Sequence, residues 1–245
     1  MPLPKTTTST LGQPLIAEFA GQTFWLLPER ALWWPAGRML LVADIHIGKA
    51  AAYRALGQPV PSGTTVENLQ RLSQLLHHYQ PAQLVFLGDF LHAASSRTPS
   101  VLQALQNWRA DFASLACTLV RGNHDSRAGD PPAELDFAVV DEPWPLVGSG
   151  VGATADADAG YAIFACHHPQ TVPGGLVLAG HVHPALTLRG RSRGDAMRLP
   201  CFCADAGLLV LPAFGEFTGG WTVQPQPGRE RFAVGGGAVW RLPSL

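Results

Sequence analysis

The stretch Leu40-Leu41-Val42-Ala43-Asp44-Ile45-His46 constrains this chain more than any other. Four apolar residues break off into an acid and an imidazole two positions apart. In an extended strand, residues i and i+2 point the same way. Asp44 and His46 are therefore expected to leave the C-terminal end of a buried strand side by side, where folds with parallel strands place their chemistry. An anionic oxygen and a neutral imidazole nitrogen converging on one point suit a divalent transition metal.

The same form recurs. The run Gln83 to Leu87 ends in Gly88-Asp89-Phe90-Leu91-His92, and Cys117 to Val120 ends in Arg121-Gly122-Asn123-His124-Asp125. His167-His168-Pro169 and Gly180-His181-Val182-His183 close later apolar runs. Seven of the nine histidines fall inside these clusters, a concentration that routine core or surface histidines would not produce.

The segments between the clusters read as a parallel core. A hairpin turning at Gly21 is expected within Leu15 to Leu27, then strands over Ala31 to Trp34 and Arg38 to Ala43. Lys49 to Leu56 has helical character. Thr64 and Glu67 have the form of a capping box, and Val66, Leu69, Leu72, Leu75, Leu76 and Tyr79 follow at helical spacing. Thr98-Pro99 offers a cap with proline at the first helical position. Strand, helix, strand, helix, strand implies a parallel α/β core. Later, short β-like runs recur at Phe137–Val140, 161–166, 176–179, 185–188, 208–211 and 231–234. Gly148 to Gly160 is expected to be a mobile loop. Residues 1–13 read as a flexible tail and 14–245 as one domain.

Hydrophobic content of 47% with 14% charged residues supports a sizeable core. A net charge of -1 argues against a nucleic-acid partner held by bulk positive charge. The four cysteines form neither a disulfide framework nor a CxxC zinc site, and Cys201 and Cys203 read as buried strand residues. No apolar signal core or membrane-length run occurs, so a soluble, cytoplasmic protein with no membrane partner is expected.

Taken in order, the clusters resemble the motifs of the calcineurin-like metallophosphoesterases: DxH, GDxxH or GDxxD, GNHD/E, a lone His, and GHxH. Asp44-Ile-His-Ile-Gly-Lys49, Gly57-Gln-Pro-Val-Pro-Ser-Gly63 and Leu211-Pro-Ala-Phe-Gly-Glu-Phe-Thr-Gly-Gly220 look like the bacterial metallophosphoesterases encoded beside a DNA ligase and a DEXH-box helicase. The fold this resemblance implies is α/β, two packed mixed β-sheets flanked by helices in an αββα sandwich.

Carried over by matched position, Asp44, His46 and His183 would hold one metal. Asn123, His167 and His181 would hold a second, with Asp89 bridging the two. A shared carboxylate suits two cations lying about 3.5–4 Å apart. The resemblance favours manganese, and the mixed N/O donors also admit iron or zinc. His124 would act as general acid or phosphate donor, with Asp125 orienting its imidazole, and His168 would support the loop. His92, Lys49 and Arg54 are candidate phosphate contacts, with a solvated helix face as the alternative for the last two. Arg189, Arg191, Arg193 and Arg198 could steer a polynucleotide or simply line an exposed hairpin. The implied activity is a single-strand DNA endonuclease of repair, working with the ligase and helicase, with a homodimer left open. The alternatives are a small-molecule or cyclic-nucleotide phosphodiesterase or phosphatase, and a metal-free protein-binding scaffold.

Overall fold

The computed structural model describes residues 11–60, 63–147, 162–190, 192, 195–216 and 218–244. Strands β1 (Leu15–Phe19), β2 (Gln22–Leu26), β3 (Leu32–Trp34), β4 (Met39–Ala43), β5 (Gln83–Leu87), β6 (Ala116–Val120) and β7 (Phe137–Val140) form one sheet in chain order. Short turns join β1 through β4, so these pair antiparallel. From β4 to β7 the pairing is parallel. Each parallel step needs a crossover, supplied by α1 (Lys49–Ala55) with α2 (Thr64–Tyr79), then α3 (Pro99–Asp111), then the short α4 (Asp125–Ala128).

The second sheet is built from β8 (Trp144–Leu146), β9 (Ala162–Ala165), β10 (Gly175–Ala179), β11 (Ala185–Arg189), β12 (Ala196–Asp205), β13 (Leu208–Val210), β14 (Glu230–Gly235) and β15 (Ala238–Arg241). Its order is β15-β14-β12-β13-β10-β9-β8, with β11 paired to β12. Parallel pairs join β9, β10 and β13, and the others are antiparallel.

Period-two alternation explains the layering. Leu41 and Ala43 of β4 face the second sheet, in one cluster with Leu178, Phe202 and Phe232. Leu40 and Val42 point the other way, against Leu72 of α2 and Leu105 of α3. A strand covered on both faces must be apolar throughout, which is why this run looked continuous in the sequence. The outer face of the second sheet buries Cys201, Cys203 and Val210 with Leu186 of β11 and Val223. All four cysteines are buried and free.

Several local expectations change. The capping box does not form: Gly63, left-handed at φ 100°, caps α2 without a side-chain bond. The Thr65 hydroxyl instead accepts the Gly48 N–H at 3.3 Å, tying α2 to the start of α1. Thr98 does cap α3, accepting from Val101 N–H. Strands β8 and β15 carried no sequence signal, and β12 runs ten residues where only Cys201 and Cys203 were read as strand residues. Residues 1–10 of the expected tail and the 148–160 loop lie outside the described residues, and Gln13 donates its N–H to Gly237 O at 3.1 Å. Among the described residues no helix is long and apolar enough to cross a membrane.

Candidate metal centre

Asp44 follows β4 directly, Asp89 follows β5 after Gly88, and Asn123 follows β6 after Arg121 and Gly122. Parallel pairing aligns those strand ends, with Ala43 opposite Leu87 and Leu87 opposite Val120. The second sheet delivers His167 after β9, and His181 and His183 after β10. Packing of the two sheets brings the loops together.

Asp44 and His46 do not converge through extended backbone. Both are left-handed, as are Asp89, His181 and His183, with φ between 47° and 72°. Such conformations cost of order 1–3 kcal/mol each for residues with a Cβ and persist only where the surroundings enforce them. Here the enforcement is visible: His46 N–H donates to Asp89 O at 2.9 Å, and His181 N–H to Asp44 Oδ2 at 2.9 Å. Two motif glycines are required sterically. A Cβ at Gly88 would lie 2.1 Å from His167 Nδ1, and one at Gly180 would lie 2.6 Å from Asp44 Oδ2.

Two donor groups result. In the first, His46 Nε2 and His183 Nε2 stand 3.3 Å apart, with Asp44 Oδ1 3.4 Å from His183 Nε2. In the second, His167 Nε2 lies 2.9 Å from Asn123 Oδ1 and 3.0 Å from His181 Nδ1. Asp89 sits between them, Oδ2 at 3.8 Å from His46 Nε2 and Oδ1 at 3.5 Å from His167 Nε2.

The arrangement fits metal. Asp44 Oδ1 is wholly buried yet has no hydrogen-bond donor, a costly state for a carboxylate without a cation. His183 Nδ1–H donates to Gly219 O at 3.0 Å and His167 Nδ1–H to Leu87 O at 3.1 Å. Each bond leaves the opposite nitrogen free to ligate. Burial holds His46 neutral, and burial with His167 and His168 nearby lowers His181. Burial also pulls on His183, but the Asp44 carboxylate outweighs it and raises the imidazole.

Around this centre, His124 lies in a ring stack with His92, centroids 5.0 Å apart, and donates Nδ1–H to His92 O at 2.6 Å. Burial, then Lys49 and His124, lower His92 to about 4. Lys49 is buried, which lowers its ammonium, while Asp44 and Asp89 act in the opposite direction. Its predicted alternative as a solvated helix face does not hold. Arg54, the other candidate phosphate contact, is exposed and donates to Val60 O at 3.4 Å.

Asp125 does not orient the His124 imidazole. Its Oδ1 accepts from Phe90 N–H and Leu91 N–H at 2.9 and 3.3 Å, and its Oδ2 from Gly122 N–H at 3.0 Å. Burial raises this carboxyl to about 6 against those amide bonds. It clasps the Asp89 loop to the Asn123 loop, a task that an i, i+1 reading could not reveal.

Glu142 was missed. Its carboxylate accepts from His167 N–H at 2.6 Å, His168 N–H at 2.9 Å and His168 Nδ1–H at 2.6 Å. No motif or periodicity marks it. Of the arginine cluster, Arg191 and Arg193 lie outside the described residues, while Arg189 and Arg198 stand on the antiparallel pair β11 and β12.

The Calcineurin-like phosphoesterase family profile matches residues 37–185, a span that includes every donor named above. The crystal structure of Pseudomonas putida nuclease MPE is 44% identical, with a TM-score of 0.77, covering 94% of this chain and all of that one. A phosphoesterase from E. coli, Yfce, is 14% identical over 81% of this chain and 88% of its own, and its TM-score of 0.40 adds nothing. None of the curated proteins compared matches the sequence.

Proposed function

This chain belongs to the calcineurin-like phosphoesterases, and from that premise we propose that it hydrolyses phosphodiester bonds of single-stranded DNA with two divalent cations. The observation that carries this is Asp89, whose two oxygens face two separate donor groups. Asp44, His46 and His183 would hold one cation, Asn123, His167 and His181 the other, and Asp89 both. The similarity to a protein described as a nuclease supports a nucleic-acid substrate. Donors of nitrogen and oxygen without thiolate favour manganese, iron or zinc, and manganese is the first choice.

When bound, the cations would supply Lewis acidity for activating water and positive charge for the phosphate. The chain's own groups do the rest. The His92 carbonyl accepts the Nδ1–H of His124, fixing the ring and leaving Nε2 4.0 Å from Asp89 Oδ2. A proton on that Nε2 is placed to pass to the departing alkoxide. Lys49, buried beside the two aspartates, holds positive charge against the phosphate oxygens. A cytoplasmic role in repair, beside a DNA ligase and a DEXH-box helicase, belongs to the same reading.

Protein loaded with Mn²⁺ is expected to nick circular single-stranded DNA and to stop when chelator is added. Intact DNA alongside rapid hydrolysis of an aryl phosphodiester would move the substrate to small diesters. Protein that retains no metal after dialysis would favour the scaffold.

A further inference from the structure

Resting on the nuclease reading, we propose that Arg198 holds a second phosphate of the strand, one linkage from the scissile one, in the cleft beside His183. Alternation along β12 puts Arg198, Pro200 and Phe202 on one face. Phe202 lies in the core between the sheets. Beyond it, Pro200 and Arg198 line a cleft of about 190 Å³ together with His183, Arg30, Glu216 and Gly220. One water needs only roughly 15 Å³, so the cleft has room for a phosphate.

Two glycines set the guanidinium next to the metal donors. The Gly219 carbonyl accepts the His183 Nδ1–H at 3.0 Å. The Gly220 carbonyl accepts from Arg198 Nη2, and Thr222 Oγ1 accepts from Arg198 Nη1 at 2.9 Å. A Cβ on Gly220 would meet both groups, 2.5 Å from His183 O and 3.2 Å from Arg198 Nη2. The guanidinium therefore stands one residue's width from the main chain of a metal donor.

Charge decides what such a cleft takes. Arg198 gives N–H bonds to two neutral acceptors and forms no ion pair among the described residues. A guanidinium carries five such donors in a fixed fork, so Arg198 has donors to spare. Glu216, the carboxylate of the lining, is already shared by Arg30 and Arg71. The cleft is thus positive on a chain whose net charge is -1, and a guanidinium fork suits the oxygens of a phosphate. The paired cations would take the scissile phosphate, so an anion held here belongs to a neighbouring linkage. Small diesters have no neighbouring linkage. Arg198 therefore selects polynucleotides over them.

The test uses Mn²⁺-loaded protein and fluorescein-labelled thymidine decamers whose linkages are neutral methylphosphonates except at one phosphodiester. Two further strands carry a second phosphodiester next to it, on the 5′ or the 3′ side. For wild type, the added charge on one of the two sides is expected to raise kcat/KM at the shared linkage about tenfold, as one charged hydrogen bond would give. Arg198→Ala abolishes that gain, and Arg198→Lys keeps part of it. The gain is a ratio within each protein, so a general loss of activity does not imitate it. With metal chelated, the affinity of the all-phosphodiester decamer falls with salt, and Arg198→Ala lowers the log–log slope by about 0.7. Should the alanine variant misfold by circular dichroism, wild type and the lysine variant decide. An alanine variant with the full gain and an unchanged slope overturns the subsite and leaves Arg198 as a brace for Gly220. Wild type that gains nothing from either neighbour overturns it too. Wild type that leaves the all-phosphodiester decamer uncut removes the nuclease reading itself, and the subsite with it.

Discussion

The main-chain N–H of His181 donates to Asp44 Oδ2 at 2.9 Å across 137 residues of sequence. One bond thus joins the loop after β4 to the loop after β10, and so the two sheets. It also leaves Asp44 Oδ1 turned toward His183 Nε2 with no donor of its own. A carboxylate placed in this way is half satisfied by the fold and half reserved for a cation.

Replacing the shared carboxylate should uncouple the two halves of the site. Asp89→Ala is expected to lose both metals, as measured by elemental analysis after dialysis, and at least 100-fold in turnover, while the circular dichroism spectrum stays native. A variant that retained two metals and normal turnover would falsify the bridging assignment.

Gly88→Ala should be far more damaging than Gly21→Ala, although both glycines have positive φ. At Gly21 nothing lies within 4 Å of an added Cβ, so only backbone strain of about 1 kcal/mol is expected. At Gly88 the Cβ would lie 2.1 Å from His167 Nδ1 and force the ring away from Asn123. Thermal melts with and without Mn²⁺ check this: metal should raise Tm in Gly21→Ala and fail to do so in Gly88→Ala. Equal responses to metal would refute it.

Glu142 supports His167 without standing among the donors. Glu142→Ala removes the acceptor for both N–H groups of His167-His168 and for the His168 ring. Metal affinity is expected to fall 10- to 100-fold, the usual effect of losing an outer partner of a ligating histidine. Equilibrium dialysis measures it, and an unchanged affinity would show that the loop holds its shape unaided.

Glu216 predicts a pH signature in stability. Its carboxylate accepts from Arg71 at 2.9 Å and from Arg30. Burial acts to raise its pKa, but the two guanidiniums dominate and lower it. A depressed folded pKa contributes stability above the ordinary carboxylate value, and that contribution disappears as pH falls through the folded pKa. The side chain is 39% exposed, so solvent screening limits the effect to about 1 kcal/mol. Urea unfolding of wild type and Glu216→Gln should therefore differ near pH 7 and converge below about pH 4. A gap that widened on acidification would reverse the sign assigned here.

Much of this molecule is written in short stretches of chain. The apolar runs before Asp44, Asp89 and Asn123 define buried parallel strands, and the Thr98-Pro99 start of α3 follows from local chemistry. The candidate donors were legible because acids, amides and imidazoles at strand ends have few structural uses. Other elements were hidden for equally physical reasons. In β12 an exposed half containing Met197 and Arg198 leads into Pro200 and a buried half, so no single period runs through it.

By itself, then, the sequence determined the buried strands of the parallel core and the chemical types of the donors, because periodicity and side-chain chemistry act over a few residues. Tertiary structure alone decided which donors share a pocket, that Asp125 clasps two loops rather than the His124 ring, and that Glu142 backs His167. Those outcomes depend on hydrogen bonds and sheet packing between segments distant in the chain, whose geometry exists only once the two sheets close on each other.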